Sequence, residues 1–213
     1  MGNRIKIISE GFCRKPPVGC FGYATSAIIF DENITILFDT GSYGLRGELI
    51  KIVKNYHIDF VVISHLHFDH CSNLDLFISS KTKIIISKKE LEYFENFKTT
   101  DSDLFSYFDN IKNKLLIQTP NNNQKISKNC KIVFTPGHTN GHISLEVKDG
   151  NDTYLFCGDG IKTKMEIIKF PENTNAFDPQ TAQKTRLEIL SRYKNIILGH
   201  DTINYKDLKL RRF

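Results

Sequence analysis

Apolar residues in this chain come in short, dense runs separated by polar turns. Runs rich in Ile, Val and Phe cover residues 4–9, 25–30, 35–38, 60–64, 83–87, 131–135, 143–147, 153–157 and 195–198. Gly, Asn, Asp or Pro marks most of their boundaries, and β-branched and aromatic side chains suit a pleated surface, so each run predicts a strand. Helical spacing appears between them. Leu45, Leu49, Ile52, Val53 and Tyr56 would share one face of a helix. Asp178-Pro179 reads as an N-cap followed by proline at the first helical position, ahead of an apolar face of Ala182, Ile189, Leu190 and Tyr193. A third helix is predicted over 88–94. Strands and helices alternate throughout, which predicts a layered α/β or α+β fold.

No internal repeat or linker interrupts this pattern, so residues 1–213 are expected to form one domain. A chain of that length can bury roughly 70% of its unfolded surface without disulfide or metal staples. Two polar stretches, 98–114 and 162–177, read as loops or lids that either wall a pocket or serve as ordinary connections. The first mixes Asp101 and Asp103 with Phe105, Tyr107 and Phe108 and is compatible with a short surface helix.

Composition narrows the class. Hydrophobic residues make up 40% and charged residues 25%, which excludes collagen-like, coiled-coil and broadly disordered chains. The cysteines Cys13, Cys20, Cys71, Cys130 and Cys157 are odd in number and form no CxxC pair, the pattern of reduced thiols in the cytoplasm. Residues 1–9 lack the apolar run of a signal peptide, and no stretch approaches the ~20 apolar residues of a membrane span. A cytoplasmic protein with no membrane partner is therefore expected. Net charge is +5, and Lys206, Lys209, Arg211 and Arg212 cluster near the end. A nucleic-acid footprint is possible there, but a solvated terminal segment is the weightier reading. Oligomeric state is left open.

The chemistry concentrates after strand ends. His65-Leu66-His67-Phe68-Asp69-His70 follows the run 60–64 and puts four metal-binding side chains within six residues. Pro136-Gly137-His138-Thr139-Asn140-Gly141-His142 follows 131–135, and Gly199-His200-Asp201 follows 195–198. Ligands at strand ends are held rigidly, as a metal site requires. Cys157-Gly158-Asp159-Gly160 follows 153–157. Alone it would be a turn, but beside the histidine clusters Asp159 reads as a bridging carboxylate. His57 stands apart, in the turn after a helix, and reads as a satisfied surface or core residue. His142 is either a support for the site or a structural residue. Cys71 and Cys157 read as buried small side chains.

In these motifs and their order the sequence resembles the metallo-β-lactamase superfamily. Its HxHxDH motif appears as His65, His67, Asp69 and His70, and the later positions match at His138, Asp159 and His200. The resemblance implies a four-layer αββα sandwich with two facing sheets and a dinuclear site at one edge. It implies that His65, His67 and His138 hold one metal, that Asp69, His70 and His200 hold the other, and that Asp159 bridges them. Asp39, in Phe38-Asp39-Thr40-Gly41, matches a motif that orients ligands from behind. Two zinc ions per chain are the expected cofactor, with iron or manganese as alternatives. The diiron branch commonly has glutamate where His67 stands, which favours zinc.

Such a centre implies hydrolysis by metal-bound hydroxide, with Asp69 orienting the nucleophile and passing a proton. The wording Ser64-His65-Leu66-His67-Phe68-Asp69-His70 is similar to that of acyl-homoserine lactonases. Those enzymes carry tyrosine three residues after the bridging aspartate, where this chain has Lys162, a candidate donor to a substrate oxygen. Small stand-alone members of the superfamily are similar at Asn73-Leu74-Asp75-Leu76-Phe77. The expected substrate is a small-molecule ester, lactone or thioester. Phosphodiester or RNA cleavage, and metal binding or oxygen chemistry without hydrolysis, are the alternatives.

Overall fold

The computed structural model describes residues 4–14, 21–96, 102–169, 176–202 and 211–212. Among them, two sheets lie face to face. The larger contains β1 (Ile5–Ser9), β4 (Ser26–Asp31), β5 (Ile34–Phe38), β6 (Phe60–Val62), β7 (Lys83–Ile85), β8 (Leu116–Gln118) and β13 (Arg211–Arg212), in the order β13-β1-β4-β5-β6-β7-β8. Strands β5 to β8 run parallel, while β4 is antiparallel to both β1 and β5. The smaller sheet has the order β12-β11-β10-β9, from β9 (Cys130–Phe134), β10 (Ile143–Asp149), β11 (Asp152–Phe156) and β12 (Asn195–Ile197). A separate hairpin pairs β2 (Phe12–Arg14) with β3 (Phe21–Tyr23).

Alternation along the strands explains the layering. Ala27, Ile29, Ile36, Phe38, Val62 and Ile85 of the large sheet share one apolar cluster with Ile132, Leu145, Val147, Phe156 and Ile197 of the small sheet. Phe38 and Phe156 meet across the gap with ring centroids 5.5 Å apart. The intervening residues Ile28, Leu37, Val61 and Ile84 point the other way. There they pack under α1 (Arg46–Asn55), α3 (Lys88–Asn96) and α4 (Ser102–Lys112) through Leu49, Ile52, Phe94, Phe108 and Ile111. Leu155, Cys157 and Leu198 face outward from the small sheet against Ile189 of α6 (Pro179–Arg192). A strand buried on both faces needs apolar residues at every position, which is why the runs read as continuous rather than alternating. The result is the four-layer αββα sandwich.

The elements read from the pattern are present, with their ends shifted by a residue or two. Asp178 caps α6, its Oδ1 accepting from the Gln180 and Thr181 amides. In 98–114 a helix forms, as one reading of the stretch allowed: residues 98–101 lie outside the described ones and 102–112 are α4, but the segment is no lid, since Phe108 is fully buried under the large sheet. In 162–177 a short α5 (Lys164–Lys169) forms, and 170–175 lie outside the described residues. The hairpin β2–β3 and the edge strands β8 and β13 carried no clear signal. Lys206 and Lys209 lie outside the described residues. No helix among the described residues is long and apolar enough to cross a membrane.

Candidate metal centre

Every predicted ligand leaves the carboxyl end of a strand or the loop beyond it. Strand β6 leads to His65, His67 and α2 (Phe68–Cys71), which carries Asp69 and His70. On the small sheet β9 leads to His138, β11 to Asp159 and β12 to His200. The sandwich therefore brings ligands from both sheets to one edge.

They form two groups whose potential ligand atoms lie within 4.8 Å of one another: His65, His67, His138 and Asp159, and Asp69, His70 and His200. In the first, His138 Nε2 lies 3.0 Å from His67 Nδ1 and 3.0 Å from Asp159 Oδ2. In the second, His200 Nε2 lies 3.3 Å from His70 Nε2 and 3.2 Å from Asp69 Oδ2. Asp159 reaches both groups, since its other oxygen, Oδ1, is 3.1 Å from His200 Nε2 and 3.3 Å from His70 Nε2.

These residues fit a metal pair. Zinc bonds of about 2.0–2.2 Å in a tetrahedron separate ligand atoms by about 3.3–3.6 Å, close to the spacings here. His65 Nε2 is buried without a hydrogen-bond partner among the described residues, an omission that would cost about 1–3 kcal/mol if nothing bound it. Burial and the neighbouring histidines push His65 well below the usual imidazole range. Burial does the same to His138. Both shifts favour the neutral imidazole that a metal ligand requires. Burial alone would raise Asp159, but His138, His70 and His200 around it hold its carboxyl well below the usual range. Burial likewise opposes a charge on His70, yet Asp69, Asp39 and Asp159 raise its pKa well above the usual value. A divalent ion would displace that proton.

An outer layer fixes the rings. Asp39 is fully buried with φ 50°, a conformation that costs a non-glycine residue roughly 1–3 kcal/mol. In return its carboxylate accepts from His70 Nδ1 at 2.7 Å, from the Ser64 amide at 2.7 Å and from the Ser64 hydroxyl at 2.8 Å. His200 Nδ1 donates to the Tyr23 carbonyl at 3.0 Å, which ties the hairpin to the site. His142 joins neither group. Its Nδ1 faces the Thr135 hydroxyl at 2.8 Å, and its Nε2 accepts the Asp159 amide at 3.1 Å. Burial pushes it down to about 3, consistent with that acceptor role. Gly158 lets these parts close up: its φ is 47°, and a Cβ there would lie 2.8 Å from Ser64 Cβ.

Other sequence candidates fall where their chemistry suggests. His57 is on the surface, 3.5 Å from Asp59. Cys71 and Cys157 are buried. Lys162 lines a small pocket with His138, Asp159 and Glu166. Its amide donates to Glu166 Oε2 at 2.7 Å, and its Nζ lies 3.6 Å from Glu166 Oε1. Sequence reasoning missed Ser64, Thr135 and Glu90. Glu90 is fully buried on α3, and burial raises its carboxyl to about 7.

Comparison with known proteins agrees with this geometry. A family model described as the metallo-beta-lactamase superfamily matches residues 21–200. A probable metallo-hydrolase of Methanocaldococcus jannaschii is 30% identical over 178 residues, 81% of this chain and 73% of its own length. A hydroxyacylglutathione hydrolase of Psychromonas ingrahamii is 31% identical over 140 residues, 56% of this chain and 46% of its own. An N-acyl homoserine lactone hydrolase, solved with N-hexanoyl-L-homoserine bound at its catalytic metal center, aligns with a TM-score of 0.74 at 21% identity. That alignment covers 98% of this chain and 96% of the other, a likeness of fold.

Proposed function

Because this chain belongs to the metallo-β-lactamase superfamily and is a metallo-hydrolase, we propose that it uses two zinc ions to hydrolyse a small-molecule ester, lactone or thioester. The observation that carries the reading is Asp159, whose two oxygens face different ligand groups at 3.0 and 3.1 Å. The first centre takes His65, His67 and His138, the second takes Asp69, His70 and His200, and Asp159 is shared. Such a pair supplies a water-derived nucleophile at neutral pH and polarises the scissile carbonyl.

The remaining work belongs to side chains. Asp69 is the most exposed carboxylate of the set, its side chain 33% accessible. It orients the attacking water and carries the released proton toward the leaving atom. Lys162 donates to a substrate oxygen from the pocket wall, its ammonium steadied by Glu166 Oε1 at 3.6 Å. Phe68, between ligands His67 and Asp69, is exposed and makes a tilted contact with the more exposed Tyr43, with centroids 5.7 Å apart. Tyr107 lies beyond Tyr43 at 6.5 Å. Exposed aromatics beside a polar centre suit an apolar acyl group.

The test is metal analysis of the purified protein, followed by turnover of a lactone, a thioester, an aryl ester and a bis-aryl phosphodiester. Two zinc ions per chain and carboxylic-ester or thioester cleavage are expected. Asp69→Asn should lower kcat on the same substrate by about 10²–10⁴-fold, and Lys162→Met should lower kcat/KM. Cleavage of the phosphodiester alone would replace this reading with a phosphodiesterase. No hydrolysis by a two-zinc protein would refute the assignment of substrate class.

A further inference from the structure

Glu90 lies in the first turn of α3, outside both ligand groups, and only 1% of its surface is accessible. A buried carboxylate is expensive unless its oxygens are satisfied. Here the donors come from two loops on different sheets. Glu90 Oε1 accepts the Leu66 amide at 2.9 Å, and Leu66 sits between His65 and His67. Glu90 Oε2 accepts the Thr139 hydroxyl at 2.6 Å, and Thr139 follows His138. Gly141 packs so closely on the helix that a Cβ there would lie 2.0 Å from the Glu90 nitrogen. Ser87, one turn earlier, donates its hydroxyl to the Gly141 carbonyl.

The loops joined in this way carry His65, His67 and His138, the three histidines of one group. The second group is held by different means: His70 by Asp39, and His200 by the Tyr23 carbonyl. Asp39 also holds Ser64, whose hydroxyl lies 3.0 Å from His65 Nδ1, so it reaches both groups, whereas Glu90 bonds only to the loops of the first.

We propose that Glu90 is a positioning residue that sets the separation of the His65–His67 and His138 loops and so governs one metal centre selectively. This rests on the two-metal reading above. A carboxylate suits the task because it accepts from a fixed amide and a rotatable hydroxyl at once. Loss of the strut lets the two loops part, which raises the cost of closing them around an ion.

The experiment is zinc titration of the metal-free full chain against a chromophoric chelator, resolving the two binding steps. Wild type is expected to bind two zinc ions. Glu90→Ala should weaken one step by about 10–100-fold and leave the other unchanged. Thr139→Val, which removes one arm of the strut and is the safer variant to fold, should weaken the same step. Thr139→Ser keeps the hydroxyl and should restore it. Glu90→Ala with Thr139→Val should cost less than the sum of the two, because both break one strut. Asp39→Asn should weaken chiefly the other step, with a smaller effect on the first through Ser64 and His65. Equal weakening of both steps by Glu90→Ala and Thr139→Val, or of neither, would overturn the proposal. A wild-type protein that binds fewer than two zinc ions would instead overturn the two-metal reading, and the proposal with it.

Discussion

Replacing Asp39 with asparagine changes almost nothing in shape and a great deal in hydrogen bonding. The carboxylate accepts three bonds: from His70 Nδ1 and the Ser64 amide at 2.7 Å, and from the Ser64 hydroxyl at 2.8 Å. Asparagine has one acceptor oxygen. If it keeps the Ser64 amide, its NH₂ faces His70 Nδ1, and two donors meet. His70 then has to place its proton on Nε2, the atom 3.3 Å from both Asp159 Oδ1 and His200 Nε2. A protonated Nε2 cannot bind a metal. Breaking a buried ion pair costs about 3–5 kcal/mol. Because asparagine retains one of the three bonds and tolerates positive φ, the lower end, about 3 kcal/mol, is expected for the metal-free protein. At roughly 2–4 °C per kcal/mol for a chain of this size, Tm should fall by about 6–12 °C. Zinc affinity at the centre containing His70 should fall about 10–100-fold. Urea unfolding of the metal-free protein and chelator competition measure the two effects. An Asp39→Asn protein that loses stability yet holds both zinc ions as tightly as wild type would refute the tautomer argument.

The other predictions concern the scaffold. Glu90 has its carboxyl raised to about 7 by burial, against an ordinary value of 4.5. A raised carboxyl binds its proton more tightly in the folded state, so its contribution is complete below pH 4.5 and lost as pH climbs through 7. Metal-free wild type should therefore lose about 3 kcal/mol relative to Glu90→Gln over that window, and a difference in urea midpoints that ignores pH would contradict it. Phe108→Ala should cost about 3–5 kcal/mol in chemical denaturation, whereas a mobile lid would tolerate it. Gly158→Ala puts a Cβ 2.8 Å from Ser64 Cβ at a φ of 47° and should cost about 1–3 kcal/mol, read as a drop in Tm.

The histidine clusters were legible because each is local: a strand run followed within a few residues by ligands. The sandwich was legible for a similar reason, since runs such as 60–63 are apolar at every position and only a sheet covered on both faces accommodates that. Glu90 was not legible. Its partners lie 24 and 49 residues away, at Leu66 and Thr139, and nothing in Lys88-Lys89-Glu90 distinguishes it from a solvated helix acid. Ser64 and Thr135 are strand-end residues whose roles depend on partners from the neighbouring strand of their own sheet, Asp39 for Ser64 and His142 for Thr135. The helix α4 was among the readings of its segment, but its burial was not legible, because the acids before its aromatics suggest a surface and the burial of Phe108 is decided by the sheet beneath it. Strand β8 is an edge strand with Leu116 half exposed, so it carries no apolar alternation to detect.

The ligand set is also unevenly distributed in chain distance. His65, His67, Asp69 and His70 are neighbours in any conformation, whereas His138 is 71 residues from His67 and His200 is 130 from His70. Part of the site therefore survives unfolding. A denatured chain still presents three imidazoles and a carboxylate within six residues, and zinc bound there stabilises the wrong side of the folding equilibrium. The stabilisation that zinc gives the native state should fall short of what its native-state affinity alone implies. The same asymmetry orders events during folding. Contacts between residues far apart in the chain form slowly, so the nascent chain can hold an ion on its first ligands long before β12 arrives to enclose it.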